Sequence, residues 1–125
     1  MSRQIITTDK IAPSVGPFSA AVRSGGFIFT SGQVALDPST GKLVEADVTG
    51  QTERVFTNLD AVLRAAGKSF ADVIKANVYL TDMANFAAMN AVFGRHFEAP
   101  YPARTTVAVA ALPLGAAVEI ELIVQ

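Results

Sequence analysis

The sequence predicts an α+β fold in which two helices cover one face of a single β-sheet. Three observations predict it. Hydrophobic periodicity along the 125 residues alternates between strand and helix spacing in the order β-β-β-α-β-α-β-β. Only two segments carry the helical period, too few to cover both faces of a sheet. Half the residues are hydrophobic and 17% are charged, a balance that suits one globular domain spanning residues 1–125 and large enough to bury a core without staples.

The elements follow in chain order. The segment RQIITT is a short strand, and the loop DKIAPSVGPF follows it. SAAVRSGGFIFTSGQV reads as two strands around Ser24-Gly25-Gly26, a hairpin signal because two glycines supply the backbone angles of a tight turn. LDPSTGK is turn chemistry, punctuated by Pro38 and Gly41. In ADVTGQTERVFTNLDAVLRAAGKS, residues Val55, Phe56, Leu59, Val62, Leu63 and Ala66 recur at helical spacing, and Gly67 stops the helix. DVIKANVYLTD alternates as a strand, with Ile74, Ala76, Val78 and Leu80 on one face and Lys75, Asn77, Tyr79 and Thr81 on the other. A second helix, MANFAAMNAVFGRHF, starts from an N-cap at Asp82 and buries Phe86, Met89, Phe93 and Phe97. The strands ARTTVAVAA and AVEIELIV close the chain.

Alternation then assigns faces. Val118, Ile120 and Leu122 are expected to meet the helices, which leaves Glu119 and Glu121 on the uncovered face. Val107 and Val109 are also expected to meet the helices, which puts Arg104 and Thr106 on the uncovered face with the two glutamates, Lys75, Asn77 and Tyr79. Phe27, Phe29, Ala108 and Ala110 fall outside the helical face as well, and a sheet face of mixed polarity suits burial against another subunit.

Composition excludes several function classes. The formal net charge of −1, with no basic run, argues against general nucleic-acid binding. No cysteine is present, so disulfides, thiolate nucleophiles and zinc-thiolate sites are absent. Asp37, Glu45 and Asp47 lack ligand spacing, and no metal site is expected. The first residues do not form a signal peptide, and no apolar run approaches the ~18 residues that span a bilayer, so a cytoplasmic protein with no membrane partner is expected. His96, the one histidine, sits late in the second helix and is expected at its C-terminal end or on the surface rather than in catalysis.

Five stretches carry a family resemblance across the whole chain: Ile11-Ala12-Pro13 with Gly16-Pro17-Phe18-Ser19; Thr30-Ser31-Gly32-Gln33; Asn85 to Asn90; Pro102-Ala103-Arg104; and Leu112-Pro113 with Val118-Glu119-Ile120-Glu121. Together, in this order, they resemble the RidA family of reactive-intermediate deaminases. The resemblance implies a chorismate-mutase-like fold with a mixed sheet, and a homotrimer whose uncovered faces meet in a central barrel with clefts between subunits. It implies hydrolysis of 2-enamino and 2-imino acids, of the 2-aminoacrylate and 2-iminobutyrate type, to 2-oxo acids and ammonia without a cofactor. Arg104 matches the family's carboxylate-binding arginine, and a guanidinium suits a planar carboxylate because it grips it at two points. Glu119 matches the acidic residue that orients the attacking water. Phe18, Ser31, Gly32, Asn90 and Thr106 match positions lining the cleft. Phe18 stands where the family often has tyrosine and Thr106 where it often has cysteine, so a hydroxyl and a thiol are missing.

Competing readings are structural. Arg104 could form an inter-subunit salt bridge, Glu119 could pair with Lys75, Ser31-Gly32 could end a strand, and Asn90 could be an ordinary polar helix residue; Glu121 is read as structural. At the level of function, the alternatives are a non-catalytic trimer that binds small carboxylates and, with less support, an RNA-acting relative. A ribonuclease would need a phosphate-binding patch and an acid–base pair that one histidine and a negative net charge do not supply.

Overall fold

The computed structural model describes residues 2–125. The elements are β1 (Gln4–Ile6), β2 (Ala21–Ser24), β3 (Phe27–Thr30), α1 (Val48–Ala65), β4 (Val73–Leu80), α2 (Phe86–Phe93), β5 (Ala103–Ala108) and β6 (Val118–Val124), in the order the periodicity predicts. They form one six-stranded sheet in the spatial order β1-β2-β3-β6-β4-β5. The sheet is mixed: β4 and β5 run parallel and every other neighbouring pair is antiparallel. Parallel neighbours need a crossover, and α2 provides it. Among the described residues, no helix is long and apolar enough to cross a membrane.

Local chemistry sets the element ends. Gly25 and Gly26 both have positive φ, at 58° and 84°, so the β2–β3 hairpin closes through two residues and pairs Ser24 with Phe27. Asp47 caps α1 by accepting a hydrogen bond from the Gly50 amide at 3.0 Å. Asp82 caps a short 3₁₀ turn, Met83–Asn85, that leads into α2. The expected helix over 83–97 stops at Phe93, because the chain turns back at Gly94 and stacks its aromatic residues on α1. The His96 ring lies 4.3 Å from that of Phe56 at an interplanar angle of 12°. Phe97 packs edge-on to the same ring at 5.9 Å. His96 is therefore part of an aromatic cluster while remaining partly exposed, and burial holds its pKa below the ordinary histidine value.

The core lies between α1 and the sheet. Val55, Phe56, Leu59, Val62 and Leu63 of α1 are fully buried, as are Val118 and Ile120 of β6 and Ala76, Val78 and Leu80 of β4. Each large side chain removed from water contributes about 1.5–3 kcal/mol. Two polar residues share the α1 stripe: Gln51, Val55, Asn58 and Val62 follow one helical face. The Asn58 amide donates to the Leu36 carbonyl at 3.0 Å, and Gln51 bridges the Ala46 carbonyl and the Ala117 amide at 3.1 and 2.9 Å. They fasten the loops at one end of the sheet to the helix.

Three face assignments are corrected, the first of them Phe86, which was expected on the buried side of α2 and is 37% exposed. A bulge in β4 between Val73 and Lys75 gives the inward place to Val73 and leaves Ile74 42% exposed. In β5, Arg104 and Thr106 are in register with buried Ala76 and Val78, so they lie on the helix side, while Thr105 and Val107 face outward with Asn77 and Tyr79. The bond from Lys75 Nζ to Thr105 Oγ1, 3.2 Å, marks that outward side. The reason is that β5 is the edge strand: its outward valine is 39% exposed, so valine does not report the core there.

Candidate functional site

The residues around Glu119 are arranged by an irregularity in β3. The β3–β6 ladder pairs Phe29 with Ile123, and pairing resumes between Gln33 and Ile120, so the β3 side carries one extra residue. Within this bulge the Thr30 hydroxyl accepts the Leu122 amide at 2.9 Å, and Ser31 Oγ donates to the Ser19 carbonyl at 2.6 Å. Gly32 then passes so close to Glu119 that a Cβ at this position would collide with the carboxylate. Ser31 thus ties the bulge to the preceding loop, and Gly32 makes room for the acid.

Glu119 forms one wall of a cavity of about 210 Å³ with Phe18, Gly32, Leu36 and Leu114. Burial, and secondarily the charge of Glu121, raises its pKa above the usual carboxylate value. A carboxylate with raised proton affinity is a better base. The Tyr79 hydroxyl donates to Glu121 Oε1 and fixes where that second charge sits. The same bond, with burial, pushes the Tyr79 phenol up to about 12. Beside this cavity, Leu114 has φ 60° and ψ 20°, a left-handed conformation that costs a residue with a Cβ about 1–2 kcal/mol.

Arg104 occupies a different place. Its guanidinium carbon lies 4.7 Å from the Phe93 ring centre and 5.5 Å from that of Phe86, and Nη1 donates to Asn90 Oδ1 at 2.7 Å. Phe86, Asn90 and Phe93 come from one face of α2, so the helix orients the fork. Burial pulls the Arg104 pKa down, yet an arginine stays cationic at any ordinary pH. The two ion pairs among the described residues are Arg64–Asp60 and Arg95–Glu53, which leaves Arg104 without a carboxylate. It lines a cavity of about 410 Å³ with Asn90, Tyr101 and Pro102. Thr106 lies on the same side of β5, its hydroxyl buried with no partner among the described residues.

The predicted residues thus fall into two groups. Glu119, Gly32 and Phe18 share one cavity, with Ser31 in the bulge beside it; Arg104 and Asn90 share another, with Thr106 on their side of the sheet. Within one chain Arg104 and Glu119 are not brought together. Glu119 points outward next to Tyr79, and Arg104 lies on the helix side. Sequence reasoning did not assign Phe86 and Phe93 as the platform under Arg104, because aromatic residues at helical spacing read as core. It also missed the Tyr79–Glu121 pair, although both residues were placed on the outward face.

The sequence model of the family described as endoribonuclease L-PSP matches residues 8–125. The chain belongs to that family, which includes RidA. The DfrA protein of Myxococcus xanthus is 46% identical over 98% of this chain and 95% of its own length. The 2-iminobutanoate/2-iminopropanoate deaminase of Capra hircus is 43% identical, covering 97% of this chain and 88% of its own. The crystal structure of RidA from a Psychrobacter species superposes with a TM-score of 0.92 at 49% identity, covering 97% of this chain and 98% of the other. The RidA fold expected from the sequence, with two helices on a mixed six-stranded sheet, is the fold observed.

Proposed function

We propose that the protein hydrolyses 2-imino acids, and the enamines that tautomerise to them, to 2-oxo acids and ammonia. The observation that carries this reading is Arg104: a stacked, oriented guanidinium with no carboxylate paired to it among the described residues. A 2-imino acid presents a planar carboxylate next to an electrophilic carbon, and a bidentate grip on the first holds the second in a defined place. The name of the goat relative supports the same chemistry.

A complete site needs two copies of the chain, because Arg104 and Glu119 lie on opposite sides of one sheet. In our reading a homotrimer brings the Arg104 cavity of one subunit against the Glu119 cavity of the next. Arg104 and Asn90 hold the substrate carboxylate. Glu119 takes a proton from water as its oxygen bonds to the imine carbon and the C=N pair moves onto nitrogen. Glu119 then returns that proton to nitrogen, giving a carbinolamine; it next passes the hydroxyl proton to the amine, the C–N bond breaks as C=O forms, and ammonia leaves. Atoms balance with one water consumed. The chemistry asks only for positioning and one proton shuttle.

Mixing two impaired variants tests both claims. Arg104→Ala should abolish turnover of freshly generated 2-iminobutyrate, and Glu119→Gln should lower it about ten- to a hundredfold or more. After unfolding and refolding them together, about a quarter of the inter-subunit sites should be intact and activity should return to that level. Mixed trimers without activity would contradict the shared site. A wild-type protein that binds 2-oxo acids yet leaves the imine to decay at its spontaneous rate would make it a carboxylate binder instead. An RNA-cleaving role has less support, since the one histidine is stacked within an aromatic cluster rather than paired with a base or a phosphate-binding residue.

A further inference from the structure

We propose that Leu114 is a specificity-determining residue that selects imino acids with large apolar side chains; the inference rests on the deaminase reading and names its substrate class. The cavity beside Glu119 is apolar apart from a few polar groups, and among the described residues Glu119 is the one charged residue on its wall. Val15, Phe18 and Leu114 stand on its rim at 83%, 52% and 62% exposure. Apolar surface that the chain's own fold leaves uncovered at one cavity suits an apolar ligand group. The backbone strengthens this reading. At φ 60° glycine or asparagine would sit without strain, and Gly115 beside it also has positive φ, so the loop does not need a leucine to form. What leucine adds is an isobutyl group at the cavity mouth.

Geometry makes the cavity the side-chain subsite. The imine carbon must lie within reach of a water held by Glu119, and the carboxylate points away toward Arg104. The remaining substituent of that carbon is the side chain, and the apolar wall of Ile11, Val15, Phe18, Leu36 and Leu114 is what adjoins Glu119.

The test compares kcat/KM for 2-imino-4-methylpentanoate and 2-iminopropanoate, each generated in situ, in the wild type and in Leu114→Asn. Asparagine tolerates the left-handed backbone, so the variant keeps the loop. The wild type should favour the larger substrate by at least about tenfold, and the variant should lose most of that ratio. A role in folding alone would lower both rates together and leave the ratio unchanged. Equal rates on the two imines, or a ratio untouched by Leu114→Asn, would overturn the subsite while leaving imine hydrolysis standing. Were neither imine turned over, the deaminase reading would fall, and calorimetry with 4-methyl-2-oxopentanoate and pyruvate would still decide the subsite. Tighter binding of the larger oxo acid, lost in Leu114→Asn, supports it; equal binding overturns it.

Discussion

At the scale of residues, the candidate site is a set of charges placed where folding alone would not put them. Glu119 is disfavoured as an anion by burial and by the neighbouring Glu121 charge. A carboxyl group whose pKa is raised on folding binds its proton more tightly in the native state. Its anion therefore costs stability as pH rises from the ordinary carboxylate value through the raised one. Two expectations follow. Glu119→Gln should melt at a higher temperature than the wild type at pH 7 while losing turnover about ten- to a hundredfold or more. Glu121→Gln removes the second cause of the shift, so the acid limb of the kcat/KM profile should move to lower pH and the plateau should fall with the weaker base. A limb that stays in place in Glu121→Gln would mean that Glu121 does not tune Glu119. Arg104→Lys should fail almost as fully as Arg104→Ala, because an ammonium cannot reproduce the planar grip or the stack on Phe93.

At the scale of elements, α1 does more than fill the core. Asn58 holds the Leu36 carbonyl, and Leu36 is part of the wall facing Glu119. Asn58→Ala would leave that part-buried carbonyl without its donor, a loss of about 1 kcal/mol or more in chemical denaturation. KM should rise as well, because the wall is no longer fastened. The control is Thr57→Ala on the exposed side of the same helix, where the hydroxyl bonds only its own helix and the stability change should stay small. If Asn58→Ala lost stability without any change in KM, the helix would support the fold but not the cavity. In the same way α2 has two tasks. Met89 and Val92 face the core, while Phe86, Asn90 and Phe93 carry the guanidinium.

At the scale of the whole molecule, the outward sheet face asks for a partner. Register aligns Ile5, Val22, Phe29, Ile123 and Lys75 in one row across five strands, and four of the five are apolar. Glu121 and Asn77 lie in the next row, and Glu119 and Tyr79 in the one after. An apolar band of this length beside ionisable groups suits burial against further copies of the chain better than solvent. Light scattering at micromolar concentration should report about three chains per particle. Phe29→Glu, which puts a charge in the middle of the band, should give smaller particles and lose turnover with them. Full activity in a monomeric Phe29→Glu would remove the shared site.

The sequence by itself determined the element order, the two-helix coverage and the inward face of β6, because long segments with a strict period leave one way to bury their apolar side. It also supplied Arg104, Glu119, Gly32 and Asn90 as candidates, through motifs that resemble those of the RidA family. Only the tertiary structure decided where they stand. On the edge strand β5, both faces offer small or β-branched residues, so alternation could not tell which side carried Arg104; pairing with β4 settled it. The β4 bulge, the turn after α2 and the left-handed Leu114 are single-residue events that periodicity averages away. The separation of Arg104 from Glu119 by the sheet is longer in range still. It depends on register between strands distant in sequence, which no local pattern encodes.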